Sequence, residues 1–263
     1  MKEIKLISII TVVKDQEDTV EREFITIDSG YTPHINIHQG SSNSLKVIVL
    51  GSEGWLWIND HYITKLSLTD RTGPGNIALV GGFYMNDVKD GYQWENATIK
   101  SIEPVQVNTS GSIPFVEDGM TDSVELDDLN ISNLILEVSI ENPDETSTIG
   151  AGIRDNYRQS SAIQITSNES RWINYFYQDK WEEIDTGISS IIKRSRGETN
   201  HIKIIADENI GALFINNVFV TSLDLSKNLD RGSIYIYGDM SEGRSNYNDT
   251  NYHSTKLWHL GEK

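Results

Sequence analysis

Residues 43–82 read NSLKVIVLGSEGWLWINDHYITKLSLTDRTGPGNIALVGG, and residues 200–239 read NHIKIIADENIGALFINNVFVTSLDLSKNLDRGSIYIYGD. The two stretches align without a gap at an offset of 157 residues. Asn43 and Asn200, Lys46 and Lys203, Gly54 and Gly211, Leu56 and Leu213, Ile58 and Ile215, Asn59 and Asn216, and Gly75 and Gly232 coincide. The coincidences fall on apolar positions and turn residues alike, as one supersecondary plan used twice would produce. Within each stretch, short runs rich in β-branched and aromatic residues break at Asn59-Asp60 or Asn216-Asn217. Such breaks are tight hairpin turns, because Asn and Asp tolerate the left-handed backbone those turns need.

The same texture continues outward. Short runs rich in Val, Ile, Thr and aromatics lie at 45–49, 55–58, 77–80, 134–140, 162–166, 173–177, 202–205, 213–215 and 233–237, separated by Gly, Asn, Asp and Ser. No stretch keeps a 3.6-residue period over three turns, so the chain is expected to be all-β and antiparallel. An apolar run at 6–13 is too short for a membrane span, which takes about 20 residues. It lacks a small-residue cleavage site and reads as one more buried strand.

The repeat also sets boundaries. With one residue slipped, 97–102 matches 255–260 as a closing strand, so the first copy ends at Glu103-Pro104-Val105 and the second domain starts near Gln106. The expected domains are therefore 1–105 and 106–263. The first lacks a counterpart of 107–171 and is reduced or truncated, which a chain beginning inside a longer protein would explain. An incomplete sandwich exposes sheet edges and apolar surface that soluble proteins normally avoid.

Comparing the copies sorts the faces of each strand, since side chains alternate. Leu56 with Ile58, and Leu213 with Ile215, are expected inside; Trp55 and Trp57, like Ala212 and Phe214, point the other way. By the same logic Ile77, Ile234 and Ile236 are inward and Tyr235 and Tyr237 outward. Trp55, Trp57, Tyr235 and Tyr237 are thus the candidate ligand-binding residues. Flat rings on a non-core face can stack against the C–H faces of sugars, each burying apolar area worth about 1–3 kcal/mol. The competing reading packs these rings under a loop or between the domains.

The recurring pattern is Asn-x-apolar-Lys-apolar, then Gly-x-Leu-[Trp/Phe]-Ile-Asn-[Asn/Asp], a following apolar strand, Gly-x-Ile and a closing aromatic strand. It resembles the second half of the concanavalin A-like jelly roll, the superfamily of laminin G-like modules, legume lectins and family 16 glycoside hydrolases. The resemblance implies two antiparallel jelly-roll β-sandwich domains in tandem, the N-terminal one reduced, each with one concave sheet. In carbohydrate-binding members the sugar lies on that concave face or on the loops at its rim.

Composition narrows the function classes. The chain of 263 residues has no cysteine and a formal charge of −17. The acid excess argues against nucleic acid or an anionic membrane surface as partner. Without cysteine there is no disulfide framework, thiolate metal site or thiol nucleophile. No nucleophile elbow or phosphate-cradling glycine loop is present. The basic string Lys193-Arg194-Ser195-Arg196-Gly197 reads as one loop. The family 16 enzymes use Glu-x-Asp-x-x-Glu; here the nearest string, Glu183-Ile184-Asp185-Thr186-Gly187-Ile188, ends in Ile and reads as an acidic hairpin turn, so no catalytic residue is assigned.

Metal sites are equally weak. His34 and His38 lie in HINIH, a strand pattern that holds them about 13 Å apart. Residues 86–91 imitate a calcium loop but place Val88 at a ligand position. Calcium, which superfamily members often bind at a sheet rim, leaves only Asp239 and Asp249 as ligands to test. The expected function is a non-catalytic carbohydrate-binding or adhesion unit of a larger extracytoplasmic protein, with glycans or a cell-surface protein as partner. The alternatives are a protein-interaction or spacer module without small ligand, and a diverged glycoside hydrolase.

Overall fold

Asn59 and Asp60 adopt φ of 49° and 64°, and Asn216 and Asn217 adopt 51° and 67°. These left-handed pairs are the hairpin turns read from the sequence, and they set the registers on either side. The computed structural model describes residues 32–36, 38, 40–69, 95–114, 123–238 and 249–261. Among them there is no helix, and the strand pairings are antiparallel. The fold is all-β.

The chain divides into two compact units, Met1–Ile99 and Lys100–Lys263. Among the described residues the first unit holds β1 (Leu45–Leu50), β2 (Glu53–Ile58) and β3 (His61–Ser67), hydrogen-bonded in that order. Leu56, Ile58 and Leu66 cluster together, joined by the partly buried Ile35, Ile63 and Leu68.

The second unit is a sandwich. It comprises β4 (Glu103–Val105), β5 (Gly111–Ile113), β6 (Ser123–Glu125), β7 (Leu134–Glu141), β8 (Thr148–Asp155), β9 (Ser160–Thr166), β10 (Arg171–Gln178), β11 (Lys180–Ile188), β12 (Thr199–Asp207), β13 (Ile210–Ile215), β14 (Val218–Asp224), β15 (Ser233–Tyr237) and β16 (Thr250–His259). One sheet has six strands in the order β11-β10-β9-β8-β15-β6, the other seven around β14-β13-β12-β7-β16-β4, with β5 also on β16. Between them lies one core, in which Ile149, Ile163, Ile234 and Ile236 of the first sheet meet Leu136, Val138, Ile204 and Leu213 of the second. Each such side chain removed from water contributes about 1.5–3 kcal/mol.

Arg154 closes this core near the end of β8. Its side chain is fully buried. Nε donates to the Ser132 carbonyl at 2.7 Å and Nη1 to the Asn228 carbonyl at 2.6 Å. Asn228 answers with its own amide, donated to the Arg154 carbonyl. Burial pulls the guanidinium down to about 10, against the opposing pull of Asp207.

The strands β1–β3 and β12–β14 correspond residue for residue. Leu45 faces Ile58 as Ile202 faces Ile215, and a bulge follows Leu56 as one follows Leu213. The Asn59 side chain accepts from the Ser44 amide and donates to Asn43 Oδ1 and the His34 carbonyl. Asn216 makes the same three bonds to His201, Asn200 and the Ile191 carbonyl. Burial is where they differ. Leu45, Val47 and Val49 are 46–47% exposed, whereas Ile202, Ile204 and Ala206, the equivalents in the second unit, are wholly buried.

Several expectations change. Residues 97–102 form no strand. The units divide between Ile99 and Lys100, ahead of the boundary expected at Gln106, because β4 pairs with β16 of the second unit. The described residues of HINIH (34–36 and 38) are turn, bend or irregular, not strand: the Asn36 amide is satisfied by the side chain of Asn43 instead of a neighbouring strand, and His34 stacks on His61 at 3.8 Å. The expected strands at 6–13 and 77–80, and the calcium-like string 86–91, lie outside the described residues.

Candidate functional site

The outer face of the six-stranded sheet is defined by pairing. Directly opposed residues share a face, and one row crosses all six strands: Glu125, Tyr235, Gly152, Ala162, Tyr175, Glu183. The middle of the row is small, and a Cβ on Gly152 would collide with the Tyr237 ring, so this buried ring lies over β8. The large and polar side chains stand at the two ends.

At the β10–β11 end, Asp179 takes φ 64° and turns the chain, so that Tyr177 faces Trp181 and Tyr175 faces Glu183. Trp181 is 46% exposed. Its ring lies 5.1 Å from Tyr177 and, edge-on, 6.0 Å from Tyr175. Such tilted and T-shaped arrangements are the favoured ones for aromatic pairs. Arg171 stands on the same face, its Nη2 donating to both Glu183 oxygens at 3.1 and 3.3 Å and its Nε to Thr186 Oγ1 at 2.8 Å. Thr186 passes its own proton to the Trp172 carbonyl. The guanidinium is therefore held in one plane beside the aromatic cluster, with a carboxylate in contact.

At the β15 end, Tyr235 is half-buried; burial first, then Glu125 and Asp155, push its hydroxyl up to about 12. Burial followed by Glu183 raises Tyr175, with Arg171 opposing. Both phenols stay protonated at neutral pH, and the Tyr235 hydroxyl donates to Glu125. Tyr rings with neutral hydroxyls, a stacked Trp and a fixed Arg–Glu pair can hold a flat, hydroxyl-rich, uncharged ring. Glu183 is engaged by Arg171, and Asp185 accepts the Thr186 amide.

The residues singled out from the sequence fare unevenly. Leu56, Ile58, Leu213, Ile215, Ile234 and Ile236 are core, as expected. Trp55, Trp57 and Tyr237 point away from Leu56 or Ile236 but are 0, 2 and 6% exposed, so the expectation that they present free stacking faces is corrected. Trp57 spends its ring on Tyr62, edge-on at 5.5 Å. Among the four, Tyr235 alone keeps a partly open place on the outer sheet face. The string 183–188 is edge strand β11, not a turn, because the chain has already reversed at Asp179. The basic string at 193–197 is a tight loop whose Arg194 and Ser195 amides are capped by Glu198.

Asp249 accepts from Ser112 Oγ at 3.4 Å, and Asp239 lies outside the described residues. Among the described residues no three His, Asp or Glu side chains are grouped to hold a metal ion, and no helix is long and apolar enough to cross a membrane. Of this cluster, Tyr175, Tyr177, Trp181 and Arg171 carry no assignment in the sequence reading, and Glu183 enters it only within the acidic string 183–188. The alternation in 171–177 was the available signal, for it puts Arg171, Tyr175 and Tyr177 on one face.

No family model matches the chain, and no curated protein matches it in sequence. Among solved structures the chain is similar to the carbohydrate-binding module CBM66 from Bacillus subtilis, at 8% identity and a TM-score of 0.41, covering 58% of this chain and 93% of that one. It is similar to the galectin LEC-6 of Caenorhabditis elegans at 10% identity and a TM-score of 0.38, covering 57% and 96%. A fructosyltransferase from A. japonicus is similar at 11% identity and a TM-score of 0.45, covering 61% of this chain. The match spans only 26% of that enzyme's length.

Proposed function

We propose that the chain is a non-catalytic carbohydrate-binding module, built on two related concanavalin A-like jelly-roll units and working outside the cytoplasm on a glycan. The ligand lies on the outer face of the six-stranded sheet of the second unit. The single observation carrying this reading is the Tyr175–Trp181–Tyr177 cluster beside the braced Arg171–Glu183 pair. Aromatic faces take the apolar side of a sugar ring, and a guanidinium in contact with a carboxylate offers donor and acceptor to adjacent hydroxyls. The offset-157 correspondence of β1–β3 with β12–β14 supports the tandem plan.

Trp181→Ala is expected to weaken binding by about 1–3 kcal/mol, the worth of one large ring face taken out of water. Affinity electrophoresis of the full chain in neutral polysaccharides measures it; no retention in any of them, wild type and variant alike, would overturn the reading. A second expectation concerns charge. Glu125, Asp155 and Glu183 stand on this face of a protein of net charge −17, so polyuronates and sulfated glycans should not retain it at low salt. A spacer or protein-interaction role draws its support from the burial of Trp55 in the first unit, where a ring assigned to sugar has no open face.

A further inference from the structure

The turn between β8 and β9 carries Tyr157, which is 90% exposed and sits at φ 66°. A bulky residue rarely occupies that region, and holding one there costs about 1–3 kcal/mol unless the surroundings fix it. They do. The Tyr157 amide donates to Asp155 Oδ1, the Arg158 and Gln159 amides both donate to Asn156 Oδ1, and the Asn156 amide donates to the Gln159 carbonyl. Four bonds within five residues thus hold an aromatic ring out in water in a strained conformation, with no packing gain to offset it.

Its position gives the ring a use. Ser160, the first residue after the turn, faces Tyr177, which in turn faces Trp181, so the Tyr157 turn and the Trp181 hairpin lie at the same end of the sheet. Asp155, just before the turn, faces Ser233 of β15, two residues from Tyr235. Tyr157 is close enough to Tyr235 to oppose its ionisation. From the β8–β9 turn to β11 is two to three strand spacings, or about 10–14 Å. A pyranose ring is about one spacing, roughly 5 Å, across.

Resting on the carbohydrate-binding reading, we infer that Tyr157 is a second, outlying stacking platform, and that the ligand is a neutral oligosaccharide of at least three residues running across the strands from Trp181 to Tyr157. A single sugar or a disaccharide touches the Trp181 cluster alone. Length of the glycan chain, not the identity of one terminal sugar, then sets affinity.

The test is calorimetric titration of the full chain with cello-, laminari-, galacto- and inulo-oligosaccharides, each from mono- to hexasaccharide, against wild type, Tyr157→Phe and Tyr157→Gly. Glycine accepts the positive φ, so losing the ring is not confounded with added strain. Affinity of the wild type is expected to rise at least about tenfold between disaccharide and tetrasaccharide of the recognised series, the equivalent of one further ring contact. Tyr157→Gly should abolish that rise while leaving disaccharide binding unchanged, and Tyr157→Phe should keep it. Binding that does not depend on length, or a Tyr157→Gly variant equal to wild type at every length, overturns this inference and leaves the Trp181 site standing. Failure of every series to bind overturns both.

Discussion

Arg154→Met is expected to lower the stability of the second unit by about 2–4 kcal/mol, because two buried backbone carbonyls lose their donor. Methionine fills much of the same volume but donates nothing. The Ser132 and Asn228 carbonyls then stay buried without their donors, at about 1–3 kcal/mol each. Replacing a whole buried polar cluster by apolar groups can be neutral, because nothing is left unsatisfied. Here the orphaned acceptors are backbone groups that no side-chain change can remove, so the penalty stands. Urea unfolding of the full chain, followed by near-ultraviolet circular dichroism, measures it. An unchanged midpoint and slope would show that Arg154 does not brace the end of the sandwich.

The second large effect separates two identical motifs by their burial. Asn216→Gly keeps the left-handed turn but loses the bonds to His201, Asn200 and Ile191. Asn200 and Asn142 behind it are wholly buried or nearly so, and Asn200 passes hydrogen bonds on to Asn142 and Lys193. At about 1 kcal/mol per lost bond, plus the cost of a stranded buried amide, the loss is about 3 kcal/mol. Asn59→Gly removes the same bonds where Asn43 and Ser44 are open to water, which replaces the lost partners. Its expected cost is below about 1 kcal/mol. Equal losses in both variants, read by the same denaturation, would mean that burial does not govern the energetics of this motif.

Much of the fold was legible because period-2 alternation and Asn-centred turns act locally. The runs at 134–140, 162–166, 173–177, 202–205 and 233–237 all fall within strands, and Leu213 and Ile215 are core as their pattern required. The site was less legible. Alternation tells which face a side chain takes but not which strand lies beside it. Tyr235 and Glu183 join one row only because β15 inserts between β8 and β6, a pairing with no local signature. Trp55, Trp57, Tyr235 and Tyr237 all lie within the two copies, whereas the aromatics at 175, 177 and 181 lie outside both. Alternation could not foresee that the non-core face of β2 would be covered as well.

The asparagine latch has a kinetic consequence. In each unit it joins residues only 15 to 25 apart, whereas the bond from Asn133 to the Gly261 carbonyl joins residues 128 apart. Closing a short loop costs less chain entropy and is faster than bringing distant segments together. The two latched meanders are therefore placed to nucleate early and independently, while the sheet around β16 must wait for segments more than a hundred residues apart to meet.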